Sequence, residues 1–168
     1  MNLYRLLSTD RSKAGRDRIV SYVQKDAARF KQLFDLFRNG EPRIAQRASW
    51  AVSHCTEKYP ELIYPYCQEM VDYLETPGIH DSIKRNILRI FQDIAIPVGL
   101  EESLLGHCFG YLLDKKEAVA IRVFAMQVLA NLSKKYPEIK NELKVLIEDE
   151  LPYAKPAFVS RGRKILEG

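Results

Sequence analysis

The apolar positions of this 168-residue chain recur with a helical period almost throughout. Across 43–59, Ile44, Ala48, Ala51, Val52, Cys55 and Tyr59 fall at i, i+4, i+7, i+8, i+11 and i+15, one face of a helix. Across 61–75, Leu62, Ile63, Tyr66, Cys67, Met70, Val71 and Leu74 face one way, and Glu61, Pro65, Gln68, Asp72 and Glu75 the other. Segment 80–95 repeats the pattern through Ile83, Ile87, Ile90, Phe91 and Ile94. No stretch of the chain alternates as a half-buried strand does, so the expected fold is all-α with no β-sheet. Breakers fall between the stripes: Gly40-Glu41-Pro42, Thr76-Pro77-Gly78, and Pro97 with Gly99. Asp114 is placed to cap a helix starting near Lys115. The pattern predicts about ten helices joined by short loops, with no interdomain linker.

The chain also repeats itself. Segment 44–62 overlies 121–139 without a gap, at an offset of 77 residues. Ile44 then meets Ile121, Ala48 meets Ala125, Val52 meets Leu129 and Cys55 meets Leu132. The run Lys-Tyr-Pro-Glu at 58–61 meets the same four residues at 135–138. A weaker copy, Ile83 to Leu113, lies between and turns at Ile96-Pro97. Half of the offset is about 38 residues, the length of a two-helix solenoid repeat.

Helix pairs with a small residue inside the first helix and Pro opening the second resemble HEAT repeats. The resemblance covers roughly 41–168, and 11–38 reads as an irregular N-terminal pair. It implies a right-handed α–α superhelix of about four helix pairs, with second helices lining a concave face, and binding or scaffolding rather than catalysis. The expected organisation is one domain over 1–168: N-terminal helices in 1–40, repeats at 41–76, 80–113 and 115–150, and a capping helix over 153–168. The scaffold is also distantly similar to HEAT-like DNA-alkylation-repair glycosylases. Their Asp four residues after a key Trp is here His54 after Trp50, so no catalytic residue carries over.

Composition adds little until charge is sorted by helix. Lys and Arg number 26 against 22 Asp and Glu, a net of +4, short of the excess of a dedicated nucleic-acid module. The first helices (41–59, 80–95, 115–135) carry 11 basic and 5 acidic residues; the second helices (61–75, 100–113, 137–150) carry 2 and 11. Ordinary solvated faces would mix the signs. An acidic inner side repels phosphate and suits a basic peptide or cationic protein surface. The ends are basic, and Arg161, Arg163 and Lys164 near the C-terminus read as end-cap solvation or as contacts for an acidic partner or nucleic acid.

Candidate chemistry is sparse. Cys55, Cys67 and Cys108 form no close motif and read as buried thiols in a reducing compartment. His54, Cys55 and Cys67 lack zinc-site spacing, so neither a metal nor a cofactor is expected. His54, His80 and His107 show no carboxylate partner at helical spacing, and no nucleophile motif marks an enzyme. Gly106 and Gly110, one turn apart beside Ser103 and His107, point to a close helix–helix approach. No apolar run is long enough for a signal core or a membrane span, and a cytoplasmic location is expected.

Two functional readings follow. The first is a non-catalytic interaction or scaffold module that binds a protein or basic peptide through Tyr64, Glu69, Asp72, Tyr73 and Glu75. The alternative is nucleic-acid binding through Arg43, Arg47, Arg85 and Arg89, with Trp50 as the stacking residue. The simpler reading of Trp50 is lateral packing against the preceding helix pair, since Trp usually buries its area.

Overall fold

The computed structural model describes all of residues 1–168 and is helical without a strand. Ten α-helices follow in order: α1 Leu3–Thr9, α2 Lys13–Val23, α3 Ala27–Asn39, α4 Pro42–Lys58, α5 Cys67–Leu74, α6 Asp81–Asp93, α7 Glu101–Leu113, α8 Val119–Ser133, α9 Pro137–Glu150 and α10 Pro156–Glu167. They pack as HEAT-like repeats and divide into two compact units, Met1–Asp93 and Ile94–Gly168.

Local chemistry sets the helix ends. Asn2, Ser12 and Asp26 accept backbone N–H groups in the first turns of α1, α2 and α3 through their side chains. Pro42, Pro137 and Pro156 open α4, α9 and α10, where a missing N–H costs nothing. Gly78, at φ +69°, takes the left-handed turn before α6.

Each unit is built around one helix. In the first, α4 packs against α3 on one flank and α6 on another, with α1 and α2 also laid against it. In the second, α8 holds the same place among α7, α9 and α10. Ile44, Ala48, Val52 and Cys55 of α4 are buried, and so are Ile121, Ala125, Leu129 and Leu132 of α8. The internal repeat is therefore a repeat of packing roles. Around α4 the core is aromatic: Phe34 lies 5.3 Å from Phe37 edge-on and 4.2 Å from the Tyr66 ring, and Phe37 lies 5.2 Å from Tyr73. Each fully buried Phe contributes about 1.5–3 kcal/mol before ordering costs.

Several boundaries differ from the sequence pattern. The helix expected over 61–75 begins as two short 3₁₀ turns, 60–62 and 64–66, and becomes α-helical only at Cys67. Pro60 and Pro65 each remove a donor there, although the burial pattern holds: Leu62, Ile63, Cys67, Met70, Val71 and Leu74 are buried. α8 starts at Val119, four residues after the expected Lys115, because Asp114 folds its own turn instead. Its Oδ1 accepts from Lys116 N at 2.9 Å and its carbonyl from Glu117 N at 3.0 Å. α1 was not resolved from the N-terminal pattern, and Ile94 falls just past the end of α6.

Candidate interaction surfaces

The five residues of the first reading lie together along α5 and its approach. Glu61, Tyr64, Gln68, Glu69, Asp72 and Glu75 are exposed along one side of 60–75, a segment with no basic residue. Tyr64 is 43% exposed. Counter-charge reaches in from α3: Arg38 lies 3.6 Å from Glu69 and places its guanidinium 4.3 Å over the Tyr73 ring, and Lys31 also interacts with the Glu69 charge. Tyr73 is thus half-buried at the edge of the stripe, held by Phe37 and Arg38. Gln68 donates to Asp72 at 2.8 Å along the same side.

The residues of the nucleic-acid reading separate. Arg43 and Arg85 are exposed. Arg47 instead donates to the carbonyls of Leu7, at 2.5 Å, and Ser8, at 3.0 Å, closing the C-terminal turn of α1 onto α4. Arg89 of α6 donates to Glu57 at 3.0 Å and approaches His54 Nε2 at 3.2 Å. Trp50 is half-buried beneath Arg16 of α2, whose guanidinium sits 4.6 Å from the ring centre. Two of the four arginines are committed within the chain, and the indole face is covered by a third cation.

His54 sits at the centre of this cluster. Arg16 Nη1 and Arg89 Nη1 both point at Nε2, at 2.9 and 3.2 Å. Arginine can only donate, so Nε2 accepts and Nδ1 carries the proton, donated to Glu57 at 3.1 Å. Burial, then the charges of Arg89 and Arg16, hold the imidazole below its ordinary pKa, against a smaller opposing pull from Glu57. This corrects the expectation that no histidine has a carboxylate at helical spacing: Glu57 is at i+3.

Other charges are also internal. Arg122 of α8 is buried and donates from Nε and Nη2 to the Leu112 carbonyl at 3.0 and 2.6 Å. It also pairs with Glu150 at 3.0 Å and lies over the Phe158 ring, tying the ends of α7, α9 and α10 together. Glu101, counted among the acids of the second helices, is buried. Lys135 reaches both of its oxygens at 3.0 Å, and the Tyr136 hydroxyl donates to Oε2. Hydrogen bonds from Tyr136 and Lys135 hold its carboxyl below the usual range. The charge segregation by helix therefore overstates what reaches the surface.

The three thiols are buried, and burial pushes Cys55 up to about 12, Cys67 up to about 11, and Cys108 higher still. No group of three or more His, Cys, Asp or Glu side chains converges as a metal site would, and no helix is long and apolar enough to cross a membrane. Gly106 and Gly110 do not mark a close approach. A Cβ at either meets no atom within 4 Å, so both lie on an open face of α7. Within the helices of the second unit, it is Gly162 of α10 that permits close packing: a Cβ there would lie 2.8 Å from Ile147 Cγ2.

Paired helices turning at Tyr-Pro corners, arranged around α4 and again around α8, define an α-helical repeat protein. The chain belongs to the HEAT repeat family: the family model, a HEAT repeat domain, matches residues 3–168. Repeats of this family generally mediate protein interactions. Neither a curated protein nor a solved structure matches the chain.

Proposed function

We propose that this HEAT repeat chain is a non-catalytic interaction module that docks a basic segment of a partner protein on the acidic side of α5. The observation that carries this reading is the exposed run Glu61, Tyr64, Glu69, Asp72 and Glu75 on a segment free of basic residues. Its buried side is fixed by Ile63, Cys67, Met70 and Val71, so the stripe is displayed from a rigid base. Rigid display lowers the ordering cost of association, and an exposed Tyr supplies contact area at low entropy cost. A non-catalytic role is supported by the chemistry of the nucleophiles: the thiols are held protonated, and both nitrogens of His54 are engaged.

The test compares partners co-purifying with the parent chain and with Glu69→Lys/Asp72→Lys, after circular dichroism shows equal folding. The proteins recovered with the parent should carry basic segments and be lost from the double variant. Unchanged recovery would refute the α5 assignment. Retention of DNA or RNA at low salt, with loss on Arg43→Ala/Arg85→Ala, would replace it with a nucleic-acid role.

A further inference from the structure

The second unit holds a cleft of a different character. α9 and α10 both pack on α8 more extensively than on each other, and the gap between them is a cleft of about 680 Å³. Ala130 of α8, Leu143 of α9, and Ile165 and Leu166 of α10 give it an apolar floor and sides. Lys134, Lys140, Lys144, Arg161 and Lys164 line it as well, and no acidic side chain does. Within it Arg161 donates to Gln127 at 3.0 Å and Gln127 to Asn131 at 2.9 Å, which orders the α8–α10 side.

The sequence repeat shows how unusual this lining is. At the 77-residue offset, Lys140 and Lys144 align in sequence with Ile63 and Cys67, both buried in the first unit. A repeat end made only soluble would carry mixed charge there. On α9 the two charged residues that line the cleft, Lys140 and Lys144, are one turn apart and both basic, with Glu148 one turn further on and outside the lining. Glu138, Glu142 and Asp149 are exposed and lie outside the lining. Lys144 has one acidic neighbour, Glu148, at 3.8 Å.

We propose that this cleft binds a short acidic segment of a partner protein, about two helical turns long, with an apolar stripe of its own. Ile165 and Leu166, the part-exposed apolar side chains of the cleft, would receive the apolar stripe, and the four lysines with Arg161 would flank its carboxylates. The length follows from the walls: Pro137 to Lys144 spans about 10 Å of helix at ~1.5 Å per residue. Cations spread along such a wall over an apolar floor match an amphipathic segment better than a compact anion, which needs converging donors and no floor. The cleft is independent of the α5 stripe and opposite to it in sign.

The probe is a fluorescent peptide with Leu at i, i+3, i+4 and i+7 and Glu at the intervening positions, read by anisotropy against the full chain. Binding should be saturable and weaken with added salt. Lys140→Glu/Lys144→Glu, both exposed positions, should weaken it about tenfold or more, as charge reversal at steering and contact sites does. Glu69→Lys/Asp72→Lys should leave it unchanged, which separates this site from the α5 reading. The proposal is overturned if the peptide fails to bind, since the surface is then a solubilising end only. It is also overturned by equal binding of a peptide with Lys for every Glu, by an unaffected α9 double variant, or by an oligodeoxythymidine that binds where the peptide does not.

Discussion

Three glycines inside α-helices of the second unit predict opposite responses to one chemical change. Gly106 and Gly110 lie inside α7, and an added methyl at either meets open space. Alanine there removes the entropic penalty of glycine in a helix, about 0.5–1 kcal/mol per site. Gly162 lies inside α10, and the same methyl would sit 2.8 Å from Ile147 Cγ2 and 3.4 Å from Leu151 Cδ2. Ile147 is fully buried and has little room to retreat. Overpacking of this kind costs about 1–3 kcal/mol, which outweighs the helical gain. Gly106→Ala/Gly110→Ala should therefore stabilise by about 1–2 kcal/mol, and Gly162→Ala should destabilise by up to about 2 kcal/mol. At roughly 2–4 °C per kcal/mol for a chain of this size, melting temperatures should rise by several degrees for the first variant and fall by a few for the second. Thermal and urea unfolding followed by circular dichroism read both. A lower melting temperature for the α7 variant would show that its open face is packed. An increase for Gly162→Ala would show that α10 does not rest on Ile147.

Three further outcomes follow from the packing and the charges. Ala48→Phe and Ala125→Phe, at fully buried equivalent positions, should each cost on the order of 1–3 kcal/mol or more. Ala118→Phe, just before α8 and half-exposed, should cost less, and equal melting of all three would break the equivalence of α4 and α8. Arg122→Met keeps the apolar stem but removes both bonds to the Leu112 carbonyl and leaves Glu150 only Lys115, at 3.9 Å. It should lose about 2–4 kcal/mol in urea titrations, and a neutral result would mean that water replaces the guanidinium. His54 is held below its ordinary pKa of 6.5, so as pH falls through that value the unfolded chain takes up a proton before the folded chain does. Stability from this group is thus full above about 6.5 and is lost as pH falls toward the folded value. His54→Asn should flatten the difference in melting temperature between about pH 7.5 and pH 5.5, and an unchanged slope would place the proton uptake elsewhere.

What the sequence made legible was set by size and polarity. The stripe Ile44, Ala48, Val52, Cys55 stood out because large or clearly apolar residues recur on one face, and the structure buries each of them. The second buried side of α4 did not, because Ala45, Ser49, Ser53 and Thr56 are too small or too polar to mark a core. Ser49 accepts from the buried Asn86 across the α4–α6 contact, a pairing that no periodicity reveals. Charge averaged over a helix misled in two directions. It counted Arg47, Arg89 and Arg122 as surface although each bonds within the chain and is at least partly buried. It also hid Lys140 and Lys144 inside a helix acidic in sum, so the cationic cleft was visible only through Arg161 and Lys164. The His54–Glu57 pair was written in the sequence at i, i+3, but the two arginines that polarise it come from α2 and α6, far along the chain.

The three buried thiols give the molecule built-in clocks. A thiol that is protonated and shut from solvent cannot meet an alkylating reagent until its surroundings part. Cys55 and Cys67 lie in the first unit and Cys108 in the second. Each modification event at neutral pH is therefore a record of one opening, and the position of the adduct says which unit opened. The native chain thus reports its own breathing without an added label, and a single cysteine introduced on the surface would react before any of the three.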